Sequence, residues 1–192
     1  MNTTLLYPLV LFLHILGAFG LIAAITLEAI GLRGLRRAVR TDDALVWFGI
    51  SRGLVLRLAP ASLGLILITG LYMTATAWGP KGWILVALAS LVLLAVIGAL
   101  GTGIRMARVG PALGQASAGP LSDDLRRALR DPILLTSLRT RLAIVVGVVL
   151  LMTVKPSAVV SLLVVVLATA IGSLAGLISP RRSRNELRAD VG

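Results

Sequence analysis

Apolar residues in this chain come in runs too long for a water-soluble core. Four stretches, about residues 5–30, 58–77, 83–104 and 157–178, are almost free of charge, Glu28 in the first being the exception. Each reaches the roughly 20 residues that a helix rising 1.5 Å per residue needs to cross about 30 Å of hydrocarbon. A fifth run, between Arg141 and Lys155, holds only 13 uncharged residues, about 20 Å of helix. It spans only if its flank contributes. Pro132 followed by Ile133, Leu134, Leu135 and Leu138 offers an earlier start, with Arg139 and Arg141 snorkelling back to the interface, so the pattern predicts a helix over about 133–154. The fold expected is all-α: a polytopic bundle of five spans.

The connections between runs are of two kinds. Trp78-Gly79-Pro80-Lys81-Gly82-Trp83 and Lys155-Pro156-Ser157 are tight turns, which makes spans two and three one hairpin and spans four and five another. The segment 105–132 is the long connection. Its Gly, Pro, Ser and Ala-rich beginning predicts a flexible loop, and a short helix follows, with Ser122 as N-cap, Asp123 and Asp124 in the first turn and an Asp123–Arg127 pair. Leu121, Leu125 and Leu129 give that helix one apolar side, as in a helix lying on the membrane surface or a docking site for a partner.

Charge orients the bundle. All seventeen arginines, from Arg33 through the basic tail 181–192, fall on one side of the five runs; the only two lysines, Lys81 and Lys155, fall on the other. Basic loops stay cytoplasmic, so the N-terminus is expected outside and the C-terminus inside, with Tyr7, Trp78 and Trp83 in the outer aromatic belt. The first run has no basic residues before it and no small-residue cleavage site after it, and is expected to stay in the mature protein.

Composition changes this picture little. At 57% hydrophobic residues and a mean hydropathy of +0.97, the 192 residues make one membrane domain. A net charge of +11 would suggest nucleic acid, but the basic residues flank apolar spans without interleaved aromatics. Anionic lipid headgroups are the expected counter-charge, with no nucleic-acid partner. The excess of Arg over Lys with abundant Ala, Val and Leu resembles a GC-rich bacterial coding bias and points to a bacterial plasma membrane. There is no cysteine, hence no disulfide, thiolate nucleophile or Cys-based metal site. No catalytic or phosphate-binding motif occurs in a suitable context, and a non-enzymatic protein is expected.

Few residues can carry chemistry. His14, the only histidine, falls near the bilayer midplane, where ionisable groups face the bundle interior and mark functional sites. It is either a ligand or proton relay, or a neutral imidazole bonded to a hydroxyl such as that of Ser62, Thr69 or Thr74. Glu28 lies about 40° around the same helix, near the arginine side, where Arg52, Arg57, Arg139 or Arg141 is its expected partner in a structural ion pair. Met73 is the candidate second ligand, since thioethers suit copper and haem iron. Gly20 with Ala24, and Ala95 with Ala99 and Gly103, predict close helix packing within the chain or in a homo-oligomer.

Phe12-Leu13-His14-Ile15-Leu16-Gly17, Pro60 with Leu67-Ile68-Thr69-Gly70-Leu71, Trp78-Gly79 with Gly82-Trp83, and Leu151-Met152-Thr153-Val154-Lys155-Pro156 resemble a family of small bacterial integral membrane proteins of unknown function. A first helix carrying Leu-His is similar, more distantly, to copper-resistance D type membrane proteins and to the haem-binding membrane protoporphyrinogen oxidases. That resemblance implies haem or copper as cofactor, with His14 the one ligand carried over; the families' further histidines have no counterpart here. Six-coordinate haem would then need Met73, or two chains meeting through Gly17 and Gly20. Two functional classes follow: a membrane module binding haem, copper or another small ligand at His14, and a small transporter or accessory subunit of a membrane complex.

Overall fold

The computed structural model describes residues 3–177, with side chains from Leu6 onward; the basic tail and the last residue of the fifth run lie outside these. Helix α1 runs over Thr3–Arg37 and α2 over Thr41–Met73, prolonged by a π-helical turn, Thr74–Trp78. Helix α3, Gly82–Ile97, passes through a π-helical stretch, Gly98–Gly103, into α4, Ile104–Gln115. Helices α5 (Asp123–Leu129), α6 (Pro132–Val154) and α7 (Ala158–Leu177) complete the chain. The described residues form no strand. Five of the resulting helical stretches are long and apolar enough to cross a membrane.

The fourth of these shows how local chemistry sets a boundary. Pro132 occupies the first turn of α6, where its missing N–H costs nothing, and the Asp131 carboxylate accepts from the Ile133 N–H at 2.9 Å. At the other end Lys155 takes a left-handed conformation, φ 52°, and its N–H bonds Leu151 O. The chain then reverses through Pro156.

Two hairpins dominate the packing, α6 with α7 as expected and α1 with α2 in place of the expected α2 with α3, which barely touch, while α3 packs on α6 and α7 and α1 leans on α6. Small residues let the first hairpin close. A Cβ on Gly17 would stand 3.0 Å from Ile66 Cγ1, and one on Gly20, Gly31 or Gly34 would collide with Ser62, Ser51 or Trp47. The face of α1 that might have served a two-chain contact is therefore filled by α2 of the same chain. Ala95, Ala99 and Gly103, by contrast, stay exposed. So do Phe12, Phe19, Ile68, Val92, Val146 and Val159, all large apolar residues on the outer surface. Such a girdle suits hydrocarbon and would be costly in water.

The bundle interior holds Leu21, Ile25, Ile66, Leu94, Leu138 and Ile144. A second apolar cluster sits beyond the spans, because α1 and α2, 35 and 33 residues long, overrun the hydrocarbon thickness at their arginine end. There the long connection folds back and does not form the flexible loop expected of its composition. Val109 and Leu113 of α4 are fully or almost fully buried with Leu35 and Ala44, and Met106 packs on the same side. The i, i+3, i+7 spacing of those three residues overrides the Gly and Pro content. Leu121, Leu125 and Leu129 are buried in the same cluster, so the apolar side of α5 packs against α1 and α4 of the chain itself. Backbone bonds from Thr41 N to Gly119 O and from Leu121 N to Val39 O, both 2.9 Å, pin the connection down. Ser122 caps α5 as its sequence suggests, but Arg127 pairs with Asp124 at 2.5 Å, where Asp123 was expected.

Candidate functional site

Two polar sites lie within the spans, and α1 contributes to both. At the first, His14 Nδ1 is 2.9 Å from Thr69 Oγ1 on α2. Thr69 has one hydroxyl proton and gives it to the Leu65 carbonyl at 2.5 Å. With that proton on the carbonyl the hydroxyl accepts from His14, the arrangement in which the imidazole proton sits on Nδ1 and Nε2 keeps a lone pair. Nε2 makes no hydrogen bond among the described residues, yet no buried polar side-chain atom there is left without a partner. Nε2 is therefore open to the molecular surface.

His14 lines a cavity of about 520 Å³ bordered by α1, α2, α3 and α6. The volume falls in the range of small-molecule sites. Along α1 the cavity extends from Tyr7 to Ile22, about 22 Å of helix. Its walls are apolar, with Phe19, Ile84, Leu91 and Val148 among them. Met73, one turn beyond Thr69, lines it too and is itself buried. Ser62 and Thr74, the other hydroxyls within reach by sequence, are engaged elsewhere: Ser62 lies against Gly20 and Thr74 bonds Gly70 O at 2.8 Å.

The lysine end of the cavity is aromatic and basic. The π-helical turn at 74–78 carries Trp78 to where its Nε1 donates to Tyr7 OH at 3.0 Å, and Trp83 meets it edge-on at 5.9 Å. Lys155 Nζ lies 4.2 Å and Lys81 Nζ 5.2 Å from the Trp78 ring centroid. Trp78, Trp83 and Lys155 line the cavity.

The second site is closed. Arg141 Nη2 donates to Glu28 Oε1 and, at 3.1 Å, to Thr102 Oγ1. Its Nε reaches Ser137 O at 3.4 Å, while Ser137 Oγ donates to Ile97 O at 3.0 Å, at the entry to the π-helical stretch. Gly98 and Gly101 make the room: a Cβ on Gly98 would stand 3.3 Å from Arg141 Nη1, and one on Gly101 would collide with Ser137. The two charged side chains are only 10% and 8% exposed. Arg141 thus does not snorkel to the interface. The other arginines considered for Glu28 go elsewhere: Arg52 donates to Met106 O at 3.2 Å and lies over the Phe48 ring, and Arg139 bonds Ala175 O. Arg57 is exposed and forms no ion pair among the described residues.

His14 and Met73 share a cavity, but the one carboxylate within the spans is committed to Arg141, and no group of three His, Cys, Asp or Glu residues able to hold a metal occurs among the described residues. The two-chain route through Gly17 and Gly20 meets α2.

Thr69 is the only partner of either ionisable residue, apart from Arg141, that hydropathy and spacing single out. Thr102 and Ser137 are isolated hydroxyls in apolar runs, and only the i, i+4 step from Ser137 to Arg141 hints at one of them. The lysines carry a topological signal in the sequence and no visible link to His14. Comparison with protein-family models, curated proteins and solved structures finds no match.

Proposed function

We propose that this chain is a multi-pass protein of a bacterial plasma membrane, N-terminus outside and C-terminus cytoplasmic, that binds a small lipophilic molecule in the cavity below Trp78. The orientation rests on the seventeen arginines at one end and two lysines at the other. A reporter active only outside should work when fused near Lys81 and stay silent at Ala116; activity at Ala116 would reverse the assignment.

Binding rests on one observation: His14, whose Nε2 has no hydrogen-bond partner among the described residues, lines a largely apolar cavity. An acceptor held in low dielectric favours a ligand that brings a donor, because a ligand without one leaves Nε2 unpaired at a cost of about 1–3 kcal/mol. The ligand is then a chain or ring system carrying a hydroxyl or N–H at the depth of His14. Tryptophan quenching by tail-brominated probes in detergent tests this, with Trp47→Phe removing the signal of the distant arginine end. A long chain with a mid-chain hydroxyl should bind about tenfold more tightly than the same chain with a ketone. His14→Ala should remove that preference. Equal binding of alcohol and ketone to the unsubstituted protein would refute the reading.

A further inference from the structure

The Trp78 cluster has a charge imbalance that His14 does not explain. Lys81 and Lys155 bring two ammonium groups against one indole, and both are exposed. Neither forms an ion pair among the described residues. None could come from a neighbouring loop, because the first acidic residue of the sequence is Glu28 and every other one lies in the arginine-rich segments. Lys155 is also held in the left-handed region, φ 52°, immediately before Pro156. Glycine or asparagine would take that conformation at less cost. Strained backbone of this kind clusters at sites where a particular side chain must be presented.

We propose that the cavity holds a single-chain amphiphile whose anionic headgroup sits between Lys81 and Lys155, with its chain running down past His14. This rests on the cavity being a binding site and adds the chemistry of its mouth. Cation–π contact with Trp78 keeps the two like charges close in the absence of an anion, and the anion supplies the missing counter-charge. The depth is consistent: Tyr7, bonded to Trp78, lies two turns or about 10 Å above His14 on α1. The full ligand is therefore a hydroxylated chain with the head roughly 10 Å from the hydroxyl. The cavity's length along α1, about 22 Å, accommodates one such chain. A phosphate monoester, carrying close to two negative charges at neutral pH, matches two lysines best; a carboxylate supplies one.

The test uses three chains of equal length, each tail-brominated and bearing the same mid-chain hydroxyl, that end in a phosphate, a carboxylate or a neutral hydroxyl. Quenching of Trp78 and Trp83 in the full-length protein should show the phosphate bound about tenfold more tightly than the neutral chain, as expected of two partly screened ion pairs, with the carboxylate between them. A carboxylate equal to or tighter than the phosphate, both above the neutral chain, would keep the anionic site and reassign its headgroup. Lys81→Gln combined with Lys155→Gln should bring all three to the affinity of the neutral chain. The neutral chain should still quench saturably in that variant, which shows the cavity intact. Equal affinity of the three heads in the unsubstituted protein overturns this proposal and leaves the binding reading standing. No saturable quenching by any probe overturns both.

Discussion

Helix α1 carries two ionisable residues of the bundle interior, and the two are treated in opposite ways. Glu28 is paired with Arg141, whose guanidinium also bonds Thr102 and Ser137, beside a π-helical stretch in which Gly98 makes room for the guanidinium and Gly101 for Ser137. His14 bonds Thr69 through Nδ1, its second nitrogen has no partner among the described residues, and the residue lines a largely apolar cavity. Burying a charge is expensive unless it is paired, and Glu28 and Arg141 meet that need within the chain. His14 has no such counterpart for its second nitrogen among the described residues.

Removing one partner from the closed site is the strongest way to break the comparison. Arg141→Met strands the Glu28 carboxylate, and the loss should be about 3–5 kcal/mol, read as a large fall in the detergent melting temperature. The double variant Glu28→Leu with Arg141→Met should recover most of it, since two apolar groups leave no unpaired charge. A single variant that melts like the unsubstituted protein would mean that water reaches the pair. Next in size is the α1–α2 seam. Gly34→Val drives a side chain into Trp47, and overpacking of this kind should cost about 1–3 kcal/mol by the same melting assay. His14→Ala should cost least, about 1 kcal/mol for a single hydrogen bond, while abolishing the alcohol preference of the cavity. A fall as large as that of Arg141→Met would place His14 with the structural residues. Finally, protein expressed with haem precursor and copper should carry neither in stoichiometric amount. A strong Soret band, or one copper for every one or two chains, lost in His14→Ala, would restore the cofactor reading.

The closed site also shows where sequence reasoning stops. Five apolar runs, two tight turns and the start of α6 at Pro132 are local features, set by length, hydropathy and turn chemistry, and they are visible in the chain. Glu28 in an apolar run likewise announces that some arginine must reach it. Which arginine does so depends on the rotation of α6 and on the π-helical stretch at 98–103, and neither has a strong local signature beyond the spacing of Gly98, Gly101 and Gly103. The connection 105–132 misleads for a related reason: its Gly and Pro content predicts a loop, whereas burial of Val109 and Leu113 against Leu35 makes the first part helical. At the open site the histidine stands out by its depth. Its cavity, and the convergence of Lys81 and Lys155 on Trp78, come from packing four helices together and cannot be read from any one of them.

The most direct measurement is mass spectrometry of the lipophilic molecules that stay with the protein when it is extracted from native membranes in mild detergent. The account predicts one species held in near-stoichiometric amount, a single-chain anion with a donor group along its chain, depleted in His14→Ala and retained in the doubly substituted Glu28→Leu, Arg141→Met protein. Bulk phospholipid in the same proportions in all three samples would contradict it.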